Sequence, residues 1–150
     1  MAITVSVSLD RKQLDEILEK CGLFYPWFSD KFLRKSGGRL AEIMRERAPV
    51  RTGRLRQSIV VRFERDKVAV GPTVSYAPYV EYGTKPHIIR PVHAKALAFE
   101  VEGTTVFAKL VHHPGFAGRF FARSSYEQFL REAPEFAREL MEYYWRAGRA

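Results

Sequence analysis

The first nine residues alternate between apolar and polar side chains. Ile3, Val5, Val7 and Leu9 are separated by single threonine or serine residues. A period of two is typical of a strand that buries one face and exposes the other. The pattern therefore predicts a strand over residues 2–9.

Two helices are predicted after this strand. Apolar residues recur at helical spacing from Leu14 to Cys21, with Asp10 as the expected N-cap. A second apolar face extends from Phe28 to Met44 and ends before Pro49, because the residue preceding a proline avoids the helical region. Ser36–Gly38 lies in the middle of this helix and predicts a kink, a break or a close contact there.

The second half of the chain begins with short strands and turns. Residues 58–70 predict a hairpin, and residues 76–82 predict a helical turn. The proline-containing stretch 84–94 predicts a long exposed loop. Residues 97–110 predict a second hairpin with a glycine turn, which ends at residues 113–115.

A long helix is predicted from about Arg119 to Arg146. One apolar stripe runs from Phe129 to Tyr144 beside a ladder of charged residues, and Pro134 is expected to bend or divide the helix. The order β, α, α, ββ, loop, ββ, α predicts one α+β domain over residues 1–150. We expect an antiparallel sheet of about four to five strands, packed by the N-terminal helices and the long C-terminal helix.

Composition narrows the chemistry of this domain. The 150 residues include one cysteine, so an internal disulfide and a cysteine zinc site are excluded. No run approaches the roughly 18 apolar residues of a membrane span, and the N-terminus lacks a signal-peptide pattern. We therefore expect no membrane partner and a location in the cytoplasm.

The net charge of +8 lies in one quarter of the chain. Residues 31–67 contain 12 Lys or Arg and four Asp or Glu, while the remaining residues balance to zero. A local basic patch suits nucleic acid, an acidic protein surface or a neighbouring subunit, and charge alone does not choose among them.

The sharpest part of this patch is a compact arginine-rich turn between a helix and a strand. We expect Thr52 to cap the turn and Gly53 to adopt a positive φ. The outward side chains could bind phosphate without reading bases, or they could be solvated or face a subunit. The residues that shape the turn are Pro49, Thr52, Gly53 and Leu55, and its basic side chains are Arg51, Arg54 and Arg56.

Four histidines are the only obvious candidates for an active site or a metal centre. His87, His93, His112 and His113 lack the i, i+4 helical spacing that places two imidazoles on one metal. We therefore predict no catalytic residue, no metal and no cofactor. A hydrolase or nuclease built on these histidines ranks third among the functions considered.

Several short blocks together resemble a known family. They are residues 48–59 (APVRTGRLRQSI), 76–84 (YAPYVEYGT), 94–99 (AKALAF) and 111–115 (VHHPG), followed by the pair Phe120 and Phe121. In this order they closely resemble the tail-completion proteins of long-tailed bacteriophages, also described as minor tail components or neck proteins. The combination of the first two blocks is more specific than either alone.

This resemblance implies a structural virion protein that is not an enzyme. Such a protein joins the tail to the DNA-filled head as part of a ring, and it resides in the host cytoplasm before assembly. The implied partners are other copies of the chain, a connector or head-completion protein, and a tail tube or tail terminator protein. The basic turn could face the acidic rim of a connector, or it could bind DNA in the channel non-specifically.

A ring subunit needs two different surfaces that interlock around an axis. We expect the stretch 84–94 to reach a neighbour and the turn at Pro114 and Gly115 to be structural. The alternative function is a small basic nucleic-acid-binding module that uses residues 39–62. The predicted interface consists of Tyr76, Tyr79, Glu81, Tyr82, Gly83, Thr84, Lys85, Pro86, His87 and Arg90.

Overall fold

A computed structural model describes residues 3–148, and its centre is an antiparallel sheet. The sheet contains β1 (Val7–Asp10), β3 (Lys67–Pro72) and β2 (Ile59–Phe63), with β3 in the middle. Val70 of β3 lies opposite Val7 on one side and Val61 on the other. The sheet was expected to contain four to five strands and has three, because the later strands pair only with one another.

Five helices accompany the strands in residues 3–148. They are α1 (Arg11–Lys20), α2 (Pro26–Arg47), α3 (Arg54–Gln57), α4 (Ala77–Tyr82) and α5 (Phe121–Ala147). The predicted α+β class is thus confirmed, with α5 as the expected long C-terminal helix. Helix α2 lies against the sheet on one side and packs along α5 on the other.

The hydrophobic core lies between these layers. Phe28 and Phe32 of α2 are fully buried, as are Phe129 of α5 and Val68 of β3. Burial of each large apolar side chain contributes roughly 1.5–3 kcal/mol, so this contact stabilises the helical layers on the sheet. The apolar stripes predicted from the helical periodicity are therefore the core faces.

The first strand is shorter than its alternating pattern predicts. Residues 3–6 are not in a strand, and the predicted residue Ala2 lies outside the described residues. Thr4 donates its backbone N–H to the Pro72 carbonyl at 3.0 Å, and its hydroxyl bonds to the Val74 carbonyl at 2.7 Å. Residues 3–6 cross Gly71 so closely that a Cβ on Gly71 would overlap the Val5 carbonyl. They therefore do not continue the ladder of β1.

Helix α2 continues without interruption through Ser36–Gly38. Of the three predicted outcomes, the structure therefore shows the close contact. A Cβ added to Gly37 would lie 2.6 Å from Cγ2 of Val68 and 3.0 Å from Cγ1 of Val61, whereas a Cβ added to Gly38 meets no atom within 4 Å. Gly37 is the point at which α2 approaches the sheet most tightly.

Helix α5 is not divided at Pro134. Its buried residues Phe129, Ala133 and Ala137 flank the proline and pack in the core, so tertiary contacts hold the helix across the missing hydrogen bond. Exposed positions of α5 carry the predicted charged ladder, including the ion pair between Glu135 and Arg138 at 3.0 Å.

An ion pair ties α2 to α5. Arg39 donates to the Glu132 carboxylate at 2.9 Å, and Gln128 donates to the same carboxylate at 2.7 Å. The hydrogen bonds from Gln128 and then Arg39 lower the pKa of Glu132 below its ordinary value of 4.5. Hydrogen bonds from Arg34 and then Arg11 likewise lower the pKa of Asp30 below 3.8.

None of the helices formed by residues 3–148 is long and apolar enough to cross a membrane.

The tight contact at Gly37 predicts opposite effects for two neighbouring substitutions. Gly37→Ala should lower the free energy of unfolding by about 1–3 kcal/mol, because the new methyl overpacks the helix–sheet contact. Gly38→Ala should raise it by about 0.5–1 kcal/mol, since alanine is the better helix former and meets open space. Urea unfolding of both variants checks this, and equal effects at the two positions would contradict it.

The lowered carboxyl pKa values predict how stability depends on pH. The stabilisation from Glu132 is complete above its unfolded pKa, near 4.5, and is lost as the pH falls through the lower folded pKa. Urea unfolding at pH 7, 5 and 3 should show Glu132→Gln losing less stability on acidification than the unmodified chain. The effect should be small because the side chain is partly solvated. The exposed control Glu139→Gln should follow the unmodified chain.

Candidate assembly interface

Residues 83–117 form a two-stranded antiparallel ribbon, here called the β-arm. Its strands are β4 (Gly83–Thr84), β5 (His87–Ile89), β6 (Leu97–Val101), β7 (Thr104–Ala108), β8 (Val111–His113) and β9 (Phe116–Ala117). They pair as β4 with β9, β5 with β8 and β6 with β7. The prediction of an open loop over residues 84–94 is therefore wrong, because part of that stretch pairs with the returning chain.

The register of the β-arm changes once along its length. Ile89 lies opposite Val111, and the next pair outward is Leu97 with Ala108. Seven residues, 90–96, thus oppose only residues 109 and 110. This bulge separates the root of the β-arm from an outer hairpin over Leu97–Ala108, which we call the tip hairpin.

Glu81 fastens the root of the β-arm to α5. Its two carboxylate oxygens accept the backbone N–H groups of Ala122 at 2.9 Å and Arg123 at 3.0 Å, and its carbonyl accepts the N–H of Phe120 at 3.1 Å. A carboxylate at a helix N-terminus satisfies unpaired amides and complements the helix dipole. Glu81 is only 2% exposed, so it stabilises the fold and cannot offer its carboxylate to a partner.

The root is also tightly packed along its backbone. A Cβ at Gly118 would collide with the Glu81 carbonyl, and a Cβ at Gly83 would collide with the Phe116 carbonyl. Gly83 also has a φ of 79°, which other residues rarely adopt. The two strands therefore leave the body at a closely fixed separation.

The β-arm projects from the body and buries little of its own surface. Among the described residues 82–120, none is buried. Because paired residues share a face of a ribbon, Leu97, Phe99 and Val101 of β6 face the same way as Val106 and Ala108 of β7. An isolated two-stranded hairpin is marginally stable in water, so this apolar face is a candidate surface for another protein.

The remaining predicted interface residues surround the root. Tyr79 and Tyr82 of α4 are 58% and 67% exposed, and Tyr76 is exposed just before α4. Gly83 and Thr84 are partly buried in the first ladder. The exposed members on the arm itself are Lys85, Pro86, His87 and Arg90.

Two of the histidines are brought together by the register. His87 lies opposite His113, and their rings stack with centroids 4.9 Å apart. Gly115 donates its N–H to Nδ1 of His113 at 3.0 Å. Within residues 3–148 no cluster of three or more metal-ligating side chains occurs, so the pair has no further ligand for a metal.

The arginine-rich turn over residues 49–57, here called the Arg turn, has much of the predicted shape. Gly53 adopts a φ of 77° directly before α3, and Leu55 is buried. Thr52 does not cap the helix, because the N-cap position belongs to Gly53 and no side chain bonds there. The groove beside the turn is lined on its far wall by Tyr76, Phe116 and Arg119, so the Arg turn borders the root of the β-arm.

The three basic side chains of the Arg turn point outward. Arg51, Arg54 and Arg56 are all exposed, and they form no ion pair with a described carboxylate. Other arginines of the basic segment are engaged: Arg39 binds Glu132, and Arg45 donates to the Ile59 carbonyl. The Arg turn is therefore a concentrated and available positive charge.

Residues 11–83 match the family model described as "Bacteriophage HK97-gp10, putative tail-component". This segment is therefore similar to bacteriophage tail components, which are parts of the virion. The match agrees with the resemblance seen in the sequence. No curated protein and no solved structure gives a significant match.

The HK97-gp10-like segment covers only part of the candidate interface. It contains α1 to α4 with the Arg turn and ends at Gly83, where the β-arm begins. The blocks at 94–99 and 111–115 lie beyond it. The matched range covers the part of the body from α1 to α4, including the Arg turn, but not β1 or α5, and the β-arm begins at its last residue.

The sequence analysis missed an exposed aromatic patch at the junction of α2 and α5. Phe24, Tyr25 and Trp27 are each nearly half exposed, and Tyr143 and Trp145 are more than half exposed. Trp27 packs edge-on against Tyr144 with centroids 6.4 Å apart. The aromatic run 24–28 was the available signal, but only Phe28 fits the helical apolar face, and periodicity does not show that its neighbours stay exposed.

The buried carboxylate of Glu81 predicts a measurable loss of stability. Glu81→Gln should lower the free energy of unfolding by about 1–2 kcal/mol, because an amide accepts with only one oxygen and carries no charge for the α5 amides. Glu102→Gln at the exposed tip is the matched control and should leave stability unchanged. Urea unfolding followed by circular dichroism distinguishes them, and equal stabilities would contradict the assigned role.

Proposed function

We propose that the chain is a neck subunit that assembles into a closed ring and joins the phage tail to the DNA-filled head. The observation that carries the proposal is the β-arm, which projects an apolar ribbon face from a body whose residues 11–83 match a phage tail-component family. Its role is structural rather than enzymatic.

The β-arm is long enough to reach a neighbouring molecule. The return strand from Thr104 to Ala117 has 14 residues, which span at most about 46 Å at 3.3 Å per residue. A globular body of this size has a radius of gyration of only about 13 Å. An arm that can be up to this long is suited to contact the next subunit.

A ring subunit uses two unlike surfaces, one for each neighbour. The chain offers the β-arm on one side and exposed surfaces of the body, including the Arg turn, as possible receivers. The apolar face gains stability when a partner covers it. The further partners in this proposal are a connector or head-completion protein on one face of the ring and a tail tube or tail terminator protein on the other.

A second candidate function is non-specific nucleic-acid binding. The specific observation in its favour is the set of three exposed arginines in the Arg turn, which have no carboxylate partner among residues 3–148. Phosphate binding by these side chains would weaken steeply as salt is added, because bound counterions must be released from DNA. A contact with a large apolar component would respond much less.

Shortening the β-arm tests the neck proposal. Replacing residues 90–110 by Asn-Gly would connect Ile89 to Val111 through a two-residue turn, and none of the removed residues is buried. The body should stay folded with unchanged urea stability, while ring formation in native mass spectrometry and head–tail joining in extracts are lost. The control Glu135→Ala with Arg138→Ala, on the exposed face of α5, should behave like the unmodified chain.

The same samples separate the two candidate functions. A short DNA duplex, titrated at low and high salt, should leave the ring unaffected if the protein is a neck subunit. Normal joining by the shortened chain would contradict the role of the β-arm. Salt-sensitive duplex binding by a chain that neither assembles nor joins would favour the nucleic-acid module instead.

A further inference from the structure

The tip hairpin is the acidic end of a basic protein. Between Ala96 and Ala108 the only charged residues are Glu100 and Glu102, in a chain with a net charge of +8. Neither carboxylate forms an ion pair with another residue of the described range 3–148. The outermost point of the β-arm thus presents two available negative charges.

The backbone at the tip is unfavourable for a glutamate at the position of Glu102. Glu102 has a φ of 49° and Gly103 a φ of 80°, so both central residues of the two-residue turn are left-handed. Such turns favour asparagine, aspartate or glycine at the first position, and a glutamate there is strained. Asparagine or glycine would form the hairpin more readily but would remove the carboxylate.

The Arg turn carries the opposite charge, and it lies beside an outer strand of the sheet. Arg51, Arg54 and Arg56 are exposed and lack carboxylate partners within the described part of the chain, as shown above. Arg54 also lines a second groove, together with Val60 and Val61 of β2. The Arg turn therefore lies directly beside an outer strand of the sheet.

That outer strand has unpaired backbone groups. Glu64 donates to Lys67 and Thr73 donates to Ser58, so even-numbered residues of β2 bond to β3, because bonded pairs alternate in an antiparallel ladder. The N–H and C=O groups of Val61 and Phe63 then point away from β3. Arg45 already donates to the Ile59 carbonyl on this side, and no described backbone group pairs with the rest of the edge.

We propose that the tip hairpin of one copy binds the Arg turn and the free edge of β2 in the next copy. Glu100 and Glu102 face the three arginines, and the hairpin backbone extends the sheet at Val61 and Phe63, a known way for an extended segment to bind. The inference rests on the proposed ring, for which it names the contact between neighbouring subunits.

The occupant is a second copy rather than the tip of the same chain. The root of the β-arm borders the groove beside the Arg turn through Phe116 and Arg119. The tip lies at the other end of the same ribbon, beyond the paired strands β5 and β8. The pairs between these strands hold the tip and the root of the β-arm apart.

Charge reversal tests the contact from both sides. The tip-reversed variant carries Glu100→Lys and Glu102→Lys, and the turn-reversed variant carries Arg51→Glu, Arg54→Glu and Arg56→Glu. Each alone should self-associate roughly tenfold or more weakly in sedimentation velocity, because like charges then meet at the contact. The control Glu139→Lys with Glu142→Lys, on α5, should associate like the unmodified chain.

Rescue distinguishes a direct contact from a general effect of charge. An equimolar mixture of the two reversed variants should associate again, since every tip then meets a turn of opposite charge. One chain carrying both reversals should also recover. Glu102→Asn should weaken association while keeping or raising stability in urea, because asparagine suits the turn.

Several results would overturn the inference. Unchanged association of the tip-reversed variant, or no recovery in the mixture, would exclude the contact. So would an unmodified chain that stays monomeric at the highest accessible concentration. Dissociation of the assembly by a DNA duplex, with the tip-reversed variant behaving normally, would assign the Arg turn to phosphate. Head–tail joining is measured separately with the same variants. If joining survives charge reversal, this contact is rejected but the neck proposal is not.

Discussion

The architecture outside the core depends on one buried carboxylate. Glu81 ends the segment that leads into the β-arm and holds the first amides of α5 when the chain returns. A buried carboxylate is stable only when hydrogen-bond donors replace its lost hydration, and the two N–H groups of α5 supply them. The same contact therefore starts the long helix and fixes both strands of the β-arm at their origin.

Periodicity predicted the elements whose faces are buried, and with the glycine turn it also predicted the exposed hairpin within residues 97–110. It missed the pairing of residues 83–89 with 111–117. The apolar stripes of α2 and α5 follow helical spacing because they form the core, and Gly37 marked a close contact because its neighbours leave no room for a side chain. The strands of the β-arm are only two to five residues long. These strands pair because the chain reverses at Glu102 and Gly103. Alternation within a five-residue window does not show that the pairing continues as far as His87 and His113.

Some roles of the site residues could be predicted from the sequence, and others could not. Leu55 and the outward arginines were predictable because an apolar residue within a polar turn has one stable orientation. Glu81 was expected at the interface, but its bonds to α5 were not predictable, because a glutamate among exposed tyrosines is usually solvated and its partners lie 41 and 42 residues away. The sequence shows the opposite charges of the Arg turn and the tip hairpin. Only the structure shows that they lie at opposite ends of the β-arm.

The packed glycines at the root have a geometric consequence. Gly83 and Gly118 each meet opposing backbone where a side chain would not fit, so the angle between ribbon and body is determined by covalent geometry and close packing rather than by adjustable side chains. In the proposed ring, the rotation from one subunit to the next would follow from that angle together with the position at which the tip hairpin docks. A joint of a few packed residues would then contribute to the number of subunits that closes the circle.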